Sequence, residues 1–327
     1  MRRTHLVLLL LSLLAATLGT AADARAANWP DRPLRLIVPF TAGSSSDTIA
    51  RIVAAKMADR LGQQVIVDNR VGASTVIGTN LVAKAAPDGY TLGLANTTTS
   101  AATVALNASL PFDPIKDFAP IGMIGSSPFI LVSSPDLPVS TLKQLISLAK
   151  AKPGSLNYAS SGVGTLAHLG GELFKHLADV DITHIPYRGT AQSMLDLMEG
   201  RIDLSVSTIP PTLQYIREGK LRALAVMSDK RNAMLPDLPT VAEAGVPGCE
   251  AALWTALVVP AGVPADIIKR LNDVMVDVVN NPEVQQSLTV EGVDPDPGSP
   301  AKVAATIAAD IVKWRGVVSA AHIATSK

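Results

Sequence analysis

The chain has 327 residues, with 28 Lys and Arg balancing 28 Asp and Glu, and only 4% of it is aromatic. A net charge of zero leaves no electrostatic footprint for nucleic acid or an anionic membrane. Cys249 is the single cysteine and excludes an intramolecular disulfide.

Residues 1–26 carry Arg2 and Arg3, then the run LVLLLLSLL, then small residues ending in ARA. This is the layout of a cleaved secretory signal, and its apolar core is too short for a convincing membrane span. We read export to a bacterial periplasm, with cleavage near Ala26 and a net charge of −2 on what remains. About 300 residues exceed what a single core organises, so two domains are expected.

The run LRLIV at 34–38 reads as a buried strand of a parallel sheet, closed by Pro39. A turn of small and hydroxylated residues follows, with Phe40, Thr41, Gly43, Ser44 and Ser45. The helix behind it begins near Asp47 and places Ile49, Ile52, Val53, Met57 and Leu61 at helical spacing. Free N–H groups of its first turn, with the neighbouring hydroxyls, suit an anion held above the strand. A second strand is expected at 64–68, a turn NRVGAS, a helix over 75–86 and a third strand at 91–95. That third strand opens into Asn96, Thr97, Thr98, Thr99 and Ser100. After a proline-rich stretch at 111–120, segments 121–124 and 128–133 are apolar, and a crossing between domains is placed at 125–127.

The alternation then resumes, with a helix capped by Ser140, a strand at 156–159 and the turn Ser160, Ser161, Gly162, Val163, Gly164, Thr165. Its helix bears His168. A strand at 182–186 leads to Tyr187, Arg188, Gly189 and Thr190 and a helix at 191–199. Another strand, at 201–206, ends in Ser207 and Thr208, and a further one covers 221–227. Three successive strand ends thus carry Ser, Thr, Gly or Tyr where an open α/β sheet binds ligands. The segment from Pro236 reads as surface chain with a short helix. Residues 251–259 read as the strand returning to the first domain, bearing Trp254 as core or hinge packing, and helices at 265–280 and 300–320 finish the chain. The expected domains are 27–126 with 253–327, and 127–252, forming a hinged cleft.

Catalytic signatures are mostly missing: there is no HExxH, GxSxG, Walker A loop or cysteine pair. No two histidines stand at metal-ligand spacing. Gly162 to Ala167 matches GxGxxA, but the next strand ends in Tyr187, Arg188 and Gly189 rather than the acid that holds a ribose. A secreted serine hydrolase acting on a small ester or amide, with Ser45 or Ser160 and His168, is the alternative function; no motif supplies an acid to orient the histidine.

The segments WPDRPLRLIVPFTAGSSSD, DNRVGAS, AKAAPDGYTL, LPFDPIKDFAPI, KPGSLNYASSGVGTLAHLGGELF, HIPYRGTAQSMLDLMEGRID, GKLRALAV, LPDLPTVAEAG and VVPAGVP together resemble the Bug-type receptors. These are periplasmic solute-binding proteins of tripartite tricarboxylate transporters. The resemblance implies a two-domain α/β periplasmic-binding-protein fold of type II, a Venus flytrap with its ligand cleft between the domains. It implies capture of a small carboxylate (a di- or tricarboxylate or an aromatic acid) and delivery to membrane permease subunits. It also implies no catalysis, no metal and no organic cofactor.

The family loop PFPPGGxTD falls on residues 39–47, YASxGxGT on 158–165 and PYKG on 186–189. Thr41, Ala42 and Ser44 replace two prolines and a glycine. NRPGAGG has become NRVGAST. Ser207 stands where many relatives carry an acid, which favours a purely anionic ligand over an amino acid. Asp47 is awkward beside an anion: it either caps its own helix or holds water that bridges to the ligand, and the resemblance points to the water. His168 and Arg188 are a structural and a solvated residue as readily as ligand contacts, and Phe40 is the candidate apolar wall. The expected ligand-binding set is Phe40, Thr41, Gly43, Ser44, Ser45, Asp47, Asn96, Thr97, Ser160, Ser161, Gly164, Thr165, His168, Tyr187, Gly189, Thr190 and Ser207. A monomer is expected, closing on its ligand with affinity near roughly −8 kcal/mol. A sensing role, with the loaded receptor docking on a membrane kinase, would use the same site.

Overall fold

The computed structural model describes residues 29–107, 109–187 and 189–323. The expected signal segment and Arg188 lie outside the described residues. Strand β1 (Leu34–Val38) has Leu34, Leu36, Ile37 and Val38 fully buried, as a strand inside a parallel sheet requires. It pairs in parallel with β2 (Val65–Asn69) on one side and β3 (Thr91–Asn96) on the other. Helix α1 (Ser45–Leu61) covers this sheet with Ile49, Val53, Met57 and Leu61 buried, and Gly62 at φ 69° ends it.

The NRVGAST turn carries three successive residues in the left-handed region: Ala73 (φ 44°), Ser74 (φ 50°) and Thr75 (φ 80°). Only then does helix α2 (Val76–Ala83) start. The hydroxyl cluster after β3 is itself helical, a π turn at Thr98–Ala102 running into α3 (Thr103–Leu106). The sequence reading missed it because Thr and Ser are weak helix formers.

Strand β4 (Phe118–Ser133) is a single run of 16 residues, where two segments were expected. Its first part, from Phe118 to Pro128, pairs antiparallel with β9 (Ala252–Pro260). Its last part, from Phe129 to Ser133, pairs with β7 (Leu204–Thr208). Between them lie α4 (Leu142–Ala151), β5 (Leu156–Ser160), α5 (Leu166–Ala178), β6 (Ile182–Pro186) and α6 (Thr190–Met198). After β7 come α7 (Pro210–Arg217) and β8 (Arg222–Val226). The strand path is β2-β1-β3-β9-β4-β7-β5-β6, with β8 also on β4. A parallel triplet β2-β1-β3 therefore stands at one end and β6-β5-β7 at the other, joined through β4 and β9.

Several local expectations are corrected. Thr141, not Ser140, is the N-cap of α4, accepting from Gln144 N; Gln144 Oε1 in return accepts from Ser140 N and Oγ, a reciprocal cap. Residues 236–248 form turns without a helix. The chain ends with three helices, α8 (Ala265–Val279), α9 (Pro282–Val290) and α10 (Pro300–Ala320), and α9 was not expected. An extra strand β10 (Asp294–Gly298, DPDPG) pairs along the free side of β4. Its prolines read as turn chemistry, yet an edge strand tolerates them because the missing N–H groups have no partner strand to serve.

One buried cluster runs through both ends of the molecule. It includes Ile37, Ala95 and Val258 with Leu131, Leu173 and Phe174, and is completed by Trp254, Trp314 and Val317. Helix α10 contributes Trp314 and Val317 and packs against both β4 and α5. Trp254 Nε1 donates to Asp310 Oδ2 on that helix at 2.7 Å.

Candidate functional site

The β1 loop is held from inside. Ser44 is the N-cap of α1, its hydroxyl accepting from Asp47 N at 3.3 Å. Asp47 is 3% exposed, and both its carboxylate oxygens accept from this chain. Oδ2 accepts from Gly43 N at 2.8 Å and from Arg51 Nε at 3.0 Å, and Oδ1 accepts from Asn69 Nδ2 at 2.9 Å. Arg51 Nη2 donates to Asn69 Oδ1 at 3.1 Å, which closes a ring of three side chains. Asn69 Nδ2 also reaches Phe40 O at 3.0 Å. Burial works against the Asp47 charge, but the Arg51, Gly43 and Asn69 bonds outweigh it and hold the carboxyl down at about 2. Gly43 sits at φ 79°, a left-handed turn open to solvent. Thr41, Gly43 and Ser45 are exposed around it, and Phe40 is half-buried. The first-turn N–H groups of α1 have no intrahelical acceptor, so the turn is a place for an anion.

At the end of β3 the expected pair splits. Asn96 and Thr97 are fully buried. Thr97 Oγ1 donates to Ala252 O at 2.9 Å and accepts from Trp254 N at 3.1 Å, so its hydroxyl pins β9 rather than facing a ligand. Asn96 Oδ1 accepts from Thr99 N, while its Nδ2 has no partner among the described residues.

The β5 loop is built on two histidines. Ser160 Oγ lies 2.7 Å from His184 Nε2, and it also accepts from Gly162 N. Gly164, at φ 78°, donates its N–H to His168 Nδ1 at 3.1 Å. Thr165 is the N-cap of α5, accepting from His168 N at 3.3 Å, and its hydroxyl donates to Gly162 O at 2.7 Å. The two imidazoles stack with centroids 4.0 Å apart, and Tyr158 lies 4.8 Å from the His184 ring on its strand. Tyr158 OH donates to Glu172 Oε1 at 2.7 Å, and Lys175 pairs with the same carboxylate. Burial lowers both histidine pKa values. For His184 the neighbouring His168 adds to this, bringing it to about 4. The β5 loop is therefore scaffolded by neutral rings, and its donors are side-chain hydroxyls and backbone amides.

Ser160 and His184 have the separation of an activated nucleophile and its base. Ser160 is only 1% exposed, however, and among the described residues no carboxylate hydrogen-bonds to either ring. The pairing expected for a hydrolase, Ser160 with His168, is not formed: His168 serves Gly164 and Ser160 serves His184.

The remaining expected residues divide further. Tyr187 OH donates to Asp196 Oδ2 at 2.6 Å, and Asp196 is also paired with Arg201, so the phenol is committed to its own helix. Burial and that carboxylate push the phenol up to about 12. Gly189 (φ 140°) and Thr190 start α6 with no side-chain cap, leaving a second open helix start beside the β5 loop. Ser161 is half-buried in that loop. Ser207 lies within β7, opposite Ile130, and is 4% exposed rather than in a loop beyond the strand. The halves meet near these tips: a side chain placed on Gly164 would stand 3.1 Å from Leu106 of α3. They meet again where Asn232 Nδ2 donates to Asp294 Oδ2 at 2.8 Å.

Arg51, Asn69 and His184 were not singled out from sequence. The Asp47 and Arg51 pair has readable i,i+4 spacing. The Asn69 and His184 contacts depend on strand register and had no local signal.

Comparisons with known proteins bear on the fold and the family. The family model described as tripartite tricarboxylate transporter family receptor matches residues 49–323. Protein BugT of Bordetella pertussis is 38% identical over 313 residues, covering 95% of this chain and 96% of that protein. The solved structure of R. palustris Rpa4515 with adipate superposes with a TM-score of 0.76 at 37% identity, covering 91% of this chain and 100% of that one. MatC from Rhodopseudomonas palustris with bound malate gives 0.72 at 33% identity, covering 89% and 100%. The fold is thus the two-domain α/β arrangement of periplasmic binding proteins, with its cleft between the halves. With most of its length matched by the family model and its nearly full-length relatives, the chain belongs to the tripartite tricarboxylate transporter receptor family.

Proposed function

We propose that this protein is a periplasmic receptor that captures a small dicarboxylate between its two domains and hands it to the permease of a tripartite tricarboxylate transporter, without chemical turnover. The domains in this reading are residues 27–126 with 253–327, and 127–252. The observation that carries it is the pairing of two loop-to-helix turns, capped by Ser44 and Thr165, on opposite parallel triplets, each with its polar side chains satisfied within the loop. Donors from both loops would share one ligand only when the halves close, so ligand favours the closed form. Adipate and malate, bound in the two solved relatives, suggest the substrate class. Neutral hydroxyl and amide donors grip an anion less tightly than a buried Arg fork and let it go to the next protein.

A thermal-shift screen with adipate, malate, citrate and benzoate tests this. At least one diacid is expected to raise Tm by several degrees and to be recovered intact. A shift with amino acids alone, or no shift with any acid, would overturn the assignment.

A further inference from the structure

The Asp47 ring has a consequence for ligand charge. Asp47 sits in the first turn of α1, two residues past Ser45 at the end of the tip Gly43 to Ser45 where an anion would dock. Its bonds to Arg51, Gly43 and Asn69 outweigh burial and hold the carboxyl down at about 2, so it is ionised at neutral pH. Gly43 N and Asn69 Nδ2 satisfy its hydrogen-bonding oxygens but carry no net charge. Arg51, one helical turn on, is the cation that touches it, at 3.0 Å. The Arg51 side chain is 53% exposed while the Asp47 side chain is 4% exposed, so a change at Arg51 falls on the solvent side of the pair. Asn69 fixes the fork by accepting from Arg51 Nη2, and it ties the ring to the loop by donating to Phe40 O.

We propose that Arg51 is a specificity-determining residue: paired with Asp47 and oriented by Asn69, it offsets the Asp47 charge at the lip of the β1 loop and so permits a doubly charged ligand to bind there. Arg51 is a positioning residue that need not touch the ligand. The inference rests on the carboxylate-receptor reading above. A solely structural role would weaken the fold and all ligands alike. The electrostatic role weakens a dianion more than a monoanion of the same shape, and it fades with salt.

The test is calorimetric titration of wild type, Arg51→Gln, Arg51→Lys and the double variant Asp47→Asn/Arg51→Gln with adipate, malate and their monomethyl esters, at 20 mM and 500 mM salt. Arg51→Gln is expected to bind the diacid about tenfold more weakly at low salt and the monoester about threefold more weakly, with both defects shrinking at high salt. Arg51→Lys keeps the charge and is expected to stay near wild type. The double variant, with both charges gone, is expected to recover most of the diacid affinity. Equal loss for diacid and monoester, or a double variant no better than Arg51→Gln, would overturn the charge role. Wild-type binding of diacid with an unaffected Arg51→Gln would overturn this proposal alone. Failure of wild type to bind any of the four probes would overturn the receptor reading with it.

Discussion

The stacked imidazoles behind the β5 loop make a pH prediction that can be worked through. His184 has a pKa lowered from 6.5 to about 4, chiefly by burial and secondly by His168 across a 4.0 Å stack. Glu172 on α5 opposes the shift and Lys175 adds to it. Between those two values the unfolded chain binds a proton that the native protein does not, so stability rises with pH. The contribution is complete above pH 6.5, falls as the solution is acidified and is fully lost near pH 4. The span corresponds to about 3 kcal/mol, and about 2 kcal/mol is gone by pH 5. Urea unfolding of wild type and His184→Asn from pH 7.5 to 4.5 measures it: wild type should lose about 2 kcal/mol more than the variant by pH 5. Proton NMR of the histidine rings should place one midpoint near 4. Parallel stability curves for the two proteins, or a His184 midpoint at 6.5 or above, would refute the reasoning.

Other outcomes follow from single contacts. Gly171→Ala places a methyl 2.3 Å from Tyr158 Cε2 and should destabilise by about 1–3 kcal/mol in chemical denaturation, since the ring is buried and tied to Glu172. Thr75→Gly should instead raise Tm: Thr75 is β-branched at φ 80°, and its buried hydroxyl has no partner among the described residues, so relief of about 1 kcal/mol is expected. Trp254→Phe removes the N–H that Asp310 accepts; burial already raises that carboxyl, and a loss of about 1–3 kcal/mol should appear at pH 7 and shrink in acid as Asp310 takes up a proton.

The βα units at Leu34 and Leu156 were legible because two independent signals coincide there: a buried apolar strand run, and a hydroxyl at the N-cap of an amphipathic helix. Both loops lie where that pattern puts them, with Ser44 and Thr165 capping. What could not be read is what depends on neighbours far along the chain. His184 meets Ser160 because β6 pairs with β5 in one particular register, Tyr158 opposite His184. Thr97 looked like a ligand hydroxyl, and only the return of β9 155 residues later shows that it binds Ala252 O. The partners of Asp47 were not readable in sequence because one of them, Asn69, comes from another strand. The NRVGAST turn shows the converse. Glycines lost relative to the family motif are replaced by Ser74 and Thr75, and those positions keep a left-handed backbone, so the fold overrides the residue preference.

Strand β4 changes partners from β9 to β7 at Pro128 and Phe129, and Pro128 has no amide hydrogen to commit to either side. A ribbon shared by two sheets resists being pulled out but yields to torsion where a rung of its ladder is missing. The joint at Pro128 is therefore where the two triplets are expected to turn against each other, and the contacts that bridge them, Asn232 with Asp294 and α10 with both β4 and α5, limit that turn.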